Sequence, residues 1–374
     1  MERTVYLDHA ATTPVRPAAA EALLAAVAEV GNPSSSHGPG RAARRRVEEA
    51  REAVAAAIGA QPFEVVFTSG GTEADNLAVK GLYWARQAVE QRRQRVLVSA
   101  VEHHAVLDAA RWLRDHAGAE LVELPVDRTG LLDVGALGDE LARHGDAVAV
   151  ISVMWANNEV GTLQPLAEVA RLAGAYGIPV HSDAVQAVGA AAVDVAGLAA
   201  LSLSGHKLGG PQGAGALVLR RDVAISPLLH GGGQERGVRS GTVDAASASA
   251  LGAAVSAAVE GREEEASRAA GMRDRLLAGI REAVSGVTLR GAEPGPGRLP
   301  GNLHVTVDDA DAEVMLFLLD SAGIAASSGS ACQAGVEQTS HVLRAMGVSD
   351  EHARGALRFT LGHTSREADV DAVL

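Results

Sequence analysis

The chain has 374 residues, of which 47% are hydrophobic but only 3% aromatic, and a formal net charge of −13. That length suits two domains whose cores are filled by Ala, Val and Leu. The acidic balance argues against stable nucleic-acid binding, and the arginine-rich spots at Arg41 to Arg46 and Arg86 to Arg95 read as solvated helix faces or subunit contacts. The only cysteine is Cys332, which rules out an intramolecular disulfide and fits a reducing cytoplasm. The first residues lack the apolar core of a signal peptide, and no uninterrupted apolar run approaches the ~20 residues of a membrane helix. The expectation is a cytoplasmic protein without a membrane segment.

Val5 to Leu7 reads as a short strand, followed by the turn Ala11-Thr12-Thr13-Pro14 and a helix over Arg16 to Val30. The stretch from Gly31 to Gly38 is a loop by its turn chemistry, and Arg41 to Ile58 is helical in period. Strand and helix then alternate. Strands are expected at Glu64 to Thr68, Arg95 to Ser99, Leu121 to Leu124, Ala147 to Met154 and Pro179 to Ser182, and helices at Glu73 to Arg92, Ala105 to His116 and Leu166 to Tyr176. This rhythm predicts a mostly parallel sheet covered by helices on both faces. Apolar runs at Val193 to Leu203 and Ala214 to Leu219 flank Ser202 to Gly213. Beyond Thr242 the stretch Val243 to Val284 is Ala-rich and helical, with Gly261 and Gly271 as candidate breaks. A turn-rich connector, Gly291 to Gly301, leads to a strand at Leu303 to Val307, a helix at Ala312 to Ala322 and a late strand at Leu357 to Thr360, which together suggest a smaller α+β domain.

In open parallel sheets, ligands sit beyond the carboxyl ends of the strands, so the residues after each strand matter most. Ser69-Gly70-Gly71-Thr72-Glu73 opens a helix and can seat an anion on free N–H groups, although Thr72 could also serve as a simple cap. No Gly-Lys-Ser/Thr follows, so this is not a nucleoside-triphosphate loop. Glu102-His103-His104 follows the next strand, Asn157-Asn158-Glu159-Val160-Gly161 a later one, and Asp183 with Gln186 a later one still. Lys207 lies among small residues, preceded by Ser204 and His206. Taken alone, that stretch reads as a surface hairpin with a solvated lysine. Beside an anion seat, an imidazole, an amide and a carboxylate at neighbouring strand ends, it reads as the anchor of a carbonyl cofactor held as a Schiff base. Pyridoxal 5'-phosphate needs this set of groups. Cys332 lies in Ser327-Ser328-Gly329-Ser330-Ala331-Cys332-Gln333-Ala334-Gly335, a run of small turn-forming residues that suits a thiol reaching a substrate.

Nearly end to end, the sequence resembles the cysteine desulfurases of the class V aminotransferase superfamily. The resemblance rests on Tyr6 to Pro14, Gly31 to Ser35, Phe67 to Glu73, Asn157 to Thr162, His206-Lys207, Gly231 to Thr242 and Ser328 to Cys332. It implies a pyridoxal-phosphate-dependent transferase of fold type I. A large α/β domain over 16–255 would carry a mostly parallel seven-stranded sheet, and residues 1–15 and 256–374 would form a smaller α+β domain bearing the cysteine loop. It further implies that Lys207 holds the cofactor and shuttles the substrate Cα proton, that Asp183 pairs with the ring nitrogen, and that Gln186 donates to the ring's phenolic oxygen. His103 is expected against the ring as a proton-transfer group. Gly71, Thr72, Ser204 and His206 are expected on the phosphate, and Thr242 on the phosphate of the neighbouring subunit of a homodimer. Asn158 and Arg358 would bind the carboxylate of L-cysteine, with Asn158 also at the cofactor. Cys332 would accept sulfur as a persulfide, releasing alanine and passing the sulfur to an acceptor protein of scaffold or thiolase type for iron–sulfur assembly or tRNA thiolation. No resident metal is implied. The chain departs from the family pattern at Gln212, where a lysine is usual, at Ser182, and at Leu361-Gly362-His363-Thr364, where a second arginine is usual. The alternatives are another class V enzyme (a selenocysteine or cysteine-sulfinate lyase, or an aminotransferase) or a non-catalytic sulfur-assembly scaffold. Cys332 discriminates against the other class V chemistry, since transamination needs no thiol, and absence of the yellow internal-aldimine absorbance would favour the scaffold.

Overall fold

The computed structural model describes residues 4–329 and 339–374. Its centre is a seven-stranded sheet with spatial order Val65–Thr68, Gly215–Leu219, Ala200–Ser204, Val180–Asp183, Val148–Ser152, Arg95–Ser99 and Glu120–Leu124. Only Gly215–Leu219 runs antiparallel to its neighbours. The inner strands are buried along their whole length, which explains why they read as unbroken apolar runs and not as alternating ones. Alternate residues enter opposite cores. Leu97, Ile151, Val180 and Leu201 pack in one cluster, with the helices Gly38–Ile58 and Ala245–Glu260. Val96, Val98, Val150 and Ala200 pack in the other, with the helices Gly71–Val89 and His104–Ala117. The predicted α/β class and its mostly parallel sheet are borne out.

A three-stranded antiparallel sheet, in the order Ala356–Thr360, Asn302–Val307, Val287–Arg290, forms a separate core with the helix Arg262–Ala283. Leu7 joins this core, because Val5–Tyr6 pairs in parallel with Ile324–Ala325. The chain start thereby reaches both the small sheet and the lysine segment. Of the two candidate breaks in the Ala-rich stretch, only Gly261 acts as one. Gly271 lies within the continuous helix Arg262–Ala283, where nothing comes within 4 Å of an added Cβ. The segment around Lys207 also differs from a simple hairpin: Gly205–Lys207 forms one 3-10 turn between two strands of the large sheet. The helix Val134–His144 and the strand Val287–Arg290 have no counterpart in the sequence expectations. Among the described residues no helix is long and apolar enough to cross a membrane.

One buried ion pair fixes the loop between the large sheet and the helix Ala245–Glu260. Arg51 donates to both carboxylate oxygens of Glu235, at 2.9 and 2.7 Å, and to the Val65 carbonyl at 2.6 Å; Glu235 also accepts from the Phe67 N–H at 2.9 Å. Both ends are almost fully buried. Removing one partner strands the other charge, so Glu235→Ala is expected to cost about 3–5 kcal/mol. A chemical-denaturation curve checks this, and an unchanged midpoint with an unchanged slope contradicts it.

Candidate active site

The large sheet delivers its strand ends to one cavity of about 360 Å³, within the size range of small-ligand sites. Gly71, Thr72, His103, Asn158, Asp183, Gln186, Ser204, His206, Lys207 and Arg358 all line it. Thr242 does not. It lines a different hollow, with Ser69, Arg239 and Asp244. Cys332 lies outside the described residues, although Ser327 and Gly329, shortly before it in the chain, border the cavity.

The anion seat takes its shape from two glycines. Gly70 has φ 153° and ψ −178°, a conformation open essentially to glycine alone, and it is the residue that turns the chain into the helix Gly71–Val89. No side chain caps that helix, Thr72 included, so the first-turn N–H groups have no intrahelical acceptor and face outward. A Cβ on Gly71 would fall 2.8 Å from Val185 Cγ2, so only glycine fits there without displacing the valine that lines the site.

Lys207 Nζ donates to the carbonyls of Ala10 and Ala11, the latter at 2.8 Å. Burial is the main reason its pKa falls to about 8; the nearby Arg358 charge adds to the drop, while Asp8 and Asp183 oppose it. Gln186 Nε2 donates to the same Ala10 carbonyl at 2.9 Å. Asp183 is buried, accepts from the Val185 N–H at 2.9 Å, and has its pKa raised by desolvation against the opposing pull of His103 and Lys207. A cation placed beside it would reverse that. His103 caps its helix, Nδ1 accepting from the Ala105 N–H at 3.1 Å, so the proton of the neutral ring is on Nε2. Burial lowers its pKa, as it lowers that of His206 to about 4. The imidazoles are therefore neutral, and Lys207 and Arg358 carry the positive charge of the pocket.

Arg358 comes from the small sheet. One terminal nitrogen donates to Asp8 at 2.7 Å and the other to the Asn158 carbonyl at 2.9 Å, while buried Nε has no partner among the described residues. Its guanidinium is thus oriented and still has a donor to give. His363, where the family pattern has arginine, does not reach this cavity; its Nδ1 lies 3.4 Å from Thr13 Oγ1 and its ring packs near His9. Gln212 is exposed on the loop beyond Lys207.

Sequence reasoning missed Asp8, Asp75 and the Ala10 and Ala11 carbonyls. Asp75 had a signal: it lies one helical turn beyond Gly71, on the face that carries the anion seat. Asp8 and the two carbonyls had none, since only the tertiary fold brings the N-terminal segment to Lys207 and Arg358.

An N–H-lined anion seat, a buried acid, a neutral imidazole and a depressed-pKa lysine around one cavity are the groups that a phosphorylated pyridine aldehyde requires. The aminotransferase class-V family matches the chain over residues 5–373. The chain belongs to that family. Within it, the chain is 55% identical to an IscS-like cysteine desulfurase of Mycobacterium tuberculosis over 99% of its own length and 94% of the relative's. It is 42% identical to the cysteine desulfurase NifS of Azotobacter vinelandii, covering 99% and 90% of the two chains. The X-ray structure of a NifS-like protein from Rickettsia africae superposes with TM-score 0.88 at 31% identity, over 99% of this class-V chain and 97% of that one.

Proposed function

We propose that the protein is a pyridoxal-phosphate-dependent cysteine desulfurase that converts L-cysteine to L-alanine and transfers the sulfur to Cys332. The observation that carries this reading is the convergence of Lys207, Asp183, His103 and the uncapped helix at Gly71 on one cavity, in a family whose full-length relatives bear that name. Pyridoxal phosphate, when bound, supplies an aldehyde that captures amines and a ring that accepts the electrons of the Cα–H bond. The residues present fit it. The Gly71 and Thr72 N–H groups, with Ser204 and His206, would hold a phosphate; buried Asp183 would pair with the ring nitrogen and favour its protonated form; Gln186 has a second N–H that would serve the phenolic oxygen.

The rest of the chemistry belongs to the chain. Arg358 and Asn158 take the substrate carboxylate, the arginine held in place by Asp8. Lys207, once its amine is free, moves the proton at Cα, and neutral His103 can donate from Nε2. The Cys332 thiolate attacks the substrate sulfur; the S–S bond forms as the C–S bond breaks, the bonding pair stays with the carbon fragment, and protonation yields alanine. Thr242, which lines a separate hollow in this chain, is assigned to the phosphate of a second subunit in a homodimer. The acceptor is a sulfur-receiving protein serving iron–sulfur assembly or tRNA thiolation, and the setting is the cytoplasm.

Incubating the purified protein with the cofactor and L-cysteine, and measuring alanine together with persulfide at Cys332, tests the proposal. Alanine and persulfide in equal amounts in a single turnover are expected; pyruvate or a keto acid in place of alanine would sink it. The lysine adds a pH dependence. Capture of the aldehyde needs the neutral amine, and a lysine whose pKa is depressed to about 8 is neutral above that value. The rate of cofactor uptake by the apoprotein should therefore rise as pH passes through about 8 and level off above it. Stopped-flow absorbance reads this, and a rate still climbing toward the ordinary lysine range contradicts it.

A further inference from the structure

Asp75 is a buried acid to which the reading above gives no task. It is 1% exposed, lines the cavity with Lys207, and its Oδ1 has no hydrogen-bond partner among the described residues. Ligand atoms of Asp75, His103 and Asp183 all lie within 4.8 Å of one another. The groups facing Asp75 supply no cation. His181 Nε2 is 3.6 Å from Oδ1, but His181 is fully buried and held neutral, its pKa lowered to about 3 by desolvation. His181 is tied between two serines of the flanking strands, Ser152 Oγ at 2.9 Å from Nδ1 and Ser202 Oγ at 2.9 Å from Nε2, and the Ser202 hydroxyl also faces the Asp75 carboxyl. Asp183 and Glu102 add two more buried carboxyls, and their charges push against an Asp75 anion. His103 is neutral and turned by its cap bond to Ala105. Lys207 Nζ is engaged by the Ala10 and Ala11 carbonyls.

Two acids this close, in a buried site whose facing groups supply no cation, do not both ionise. Asp183 lines the cavity and already holds an N–H donor from Val185. Among the described residues Asp75 has no donor to its Oδ1, and an unpaired carboxylate there carries the full desolvation cost.

We propose that Asp75 is a positioning residue of the cofactor site: a protonated carboxylic acid that pairs with Asp183, so that the ring nitrogen meets one carboxylate and not two. Its O–H supports the Asp183 charge from below while the Ser152–His181–Ser202 chain holds the layer rigid. This rests on the proposal that the cavity takes pyridoxal phosphate with Asp183 toward the ring.

The test uses the full-length holoprotein and three variants, reading cofactor affinity and the infrared carboxyl region. Asp75→Ala should weaken pyridoxal phosphate binding about 10-fold or more, the loss expected when a hydrogen bond to a charged group is removed. Asp75→Asn, neutral and of the same shape, should restore most of that affinity, and the wild-type-minus-Asn infrared difference should contain a protonated-acid C=O stretch. A carboxylate band in that difference overturns the proposal, as does wild-type affinity in the alanine variant. If the alanine variant fails to fold, the infrared difference alone decides. Asp183→Asn separates the two levels of the argument: should it bind the cofactor as tightly as wild type, the assignment of Asp183 to the ring fails, whatever Asp75 does.

Discussion

Replacing Lys207 by alanine is expected to lower alanine production from L-cysteine by on the order of 10³-fold or more, the scale on which a positioned proton-transfer group acts. Two losses combine. The variant has no amine to hold the cofactor covalently, and none to move the Cα proton. The cavity itself should survive, because Lys207 anchors no core: its Nζ contacts are two carbonyls of the N-terminal segment. Purified Lys207→Ala should therefore bind the cofactor without its lysine-linked visible band. Added methylamine should recover part of the proton-transfer rate, since the missing group is a small neutral amine. Turnover within tenfold of wild type would contradict the assignment of Lys207, and so would retention of the lysine-linked band, a margin far inside the effect expected of a proton-transfer group.

Replacing Cys332 by alanine should have the opposite profile. Cofactor binding and its absorbance are expected to stay at wild-type values, while sulfur transfer falls by on the order of 10³-fold or more, because no other side chain can supply a thiolate. Cys332 is the only cysteine, so mass spectrometry of the wild type after one turnover should find the added sulfur there and nowhere else. Alanine released by Cys332→Ala at the wild-type rate would exclude sulfur transfer to that thiol. Together the two variants separate the halves of the reaction: Lys207 acts at carbon and Cys332 at sulfur.

Much of the site is legible in the sequence because its groups follow strands. A strand end places its next residue at the sheet edge whatever the tertiary details, so Gly71, His103, Asn158, Asp183 and Lys207 can be assigned to one rim from the βα rhythm alone. Arg358 is different. It lies within a strand of the small sheet, and its role was legible only through resemblance. The structure adds the reason it can serve: Asp8 and the Asn158 carbonyl orient it, and Nε has no partner among the described residues. Asp75 was missed because one acid on a helix is ordinarily a solvated surface group; its significance comes from His181, Ser202 and Asp183 closing over it.

The sequence by itself determined the large-sheet architecture, since apolar runs of strand length between amphipathic helices leave few alternatives. It also determined the chemical inventory: one lysine among small residues, one cysteine in a turn-rich run, and a glycine turn before a helix. Tertiary structure decided what those groups do to one another. Burial brings Lys207 down to about 8 and keeps His103 and His206 neutral, and a strand pairing between Val5–Tyr6 and Ile324–Ala325 carries Asp8 and the Ala10 carbonyl to the lysine and the arginine. It also places Thr242 in a hollow apart from that cavity. The physical reason is range. Strand and helix formation follow from neighbours in sequence, whereas desolvation and charge pairing depend on groups hundreds of positions away, and only the folded chain sets those distances.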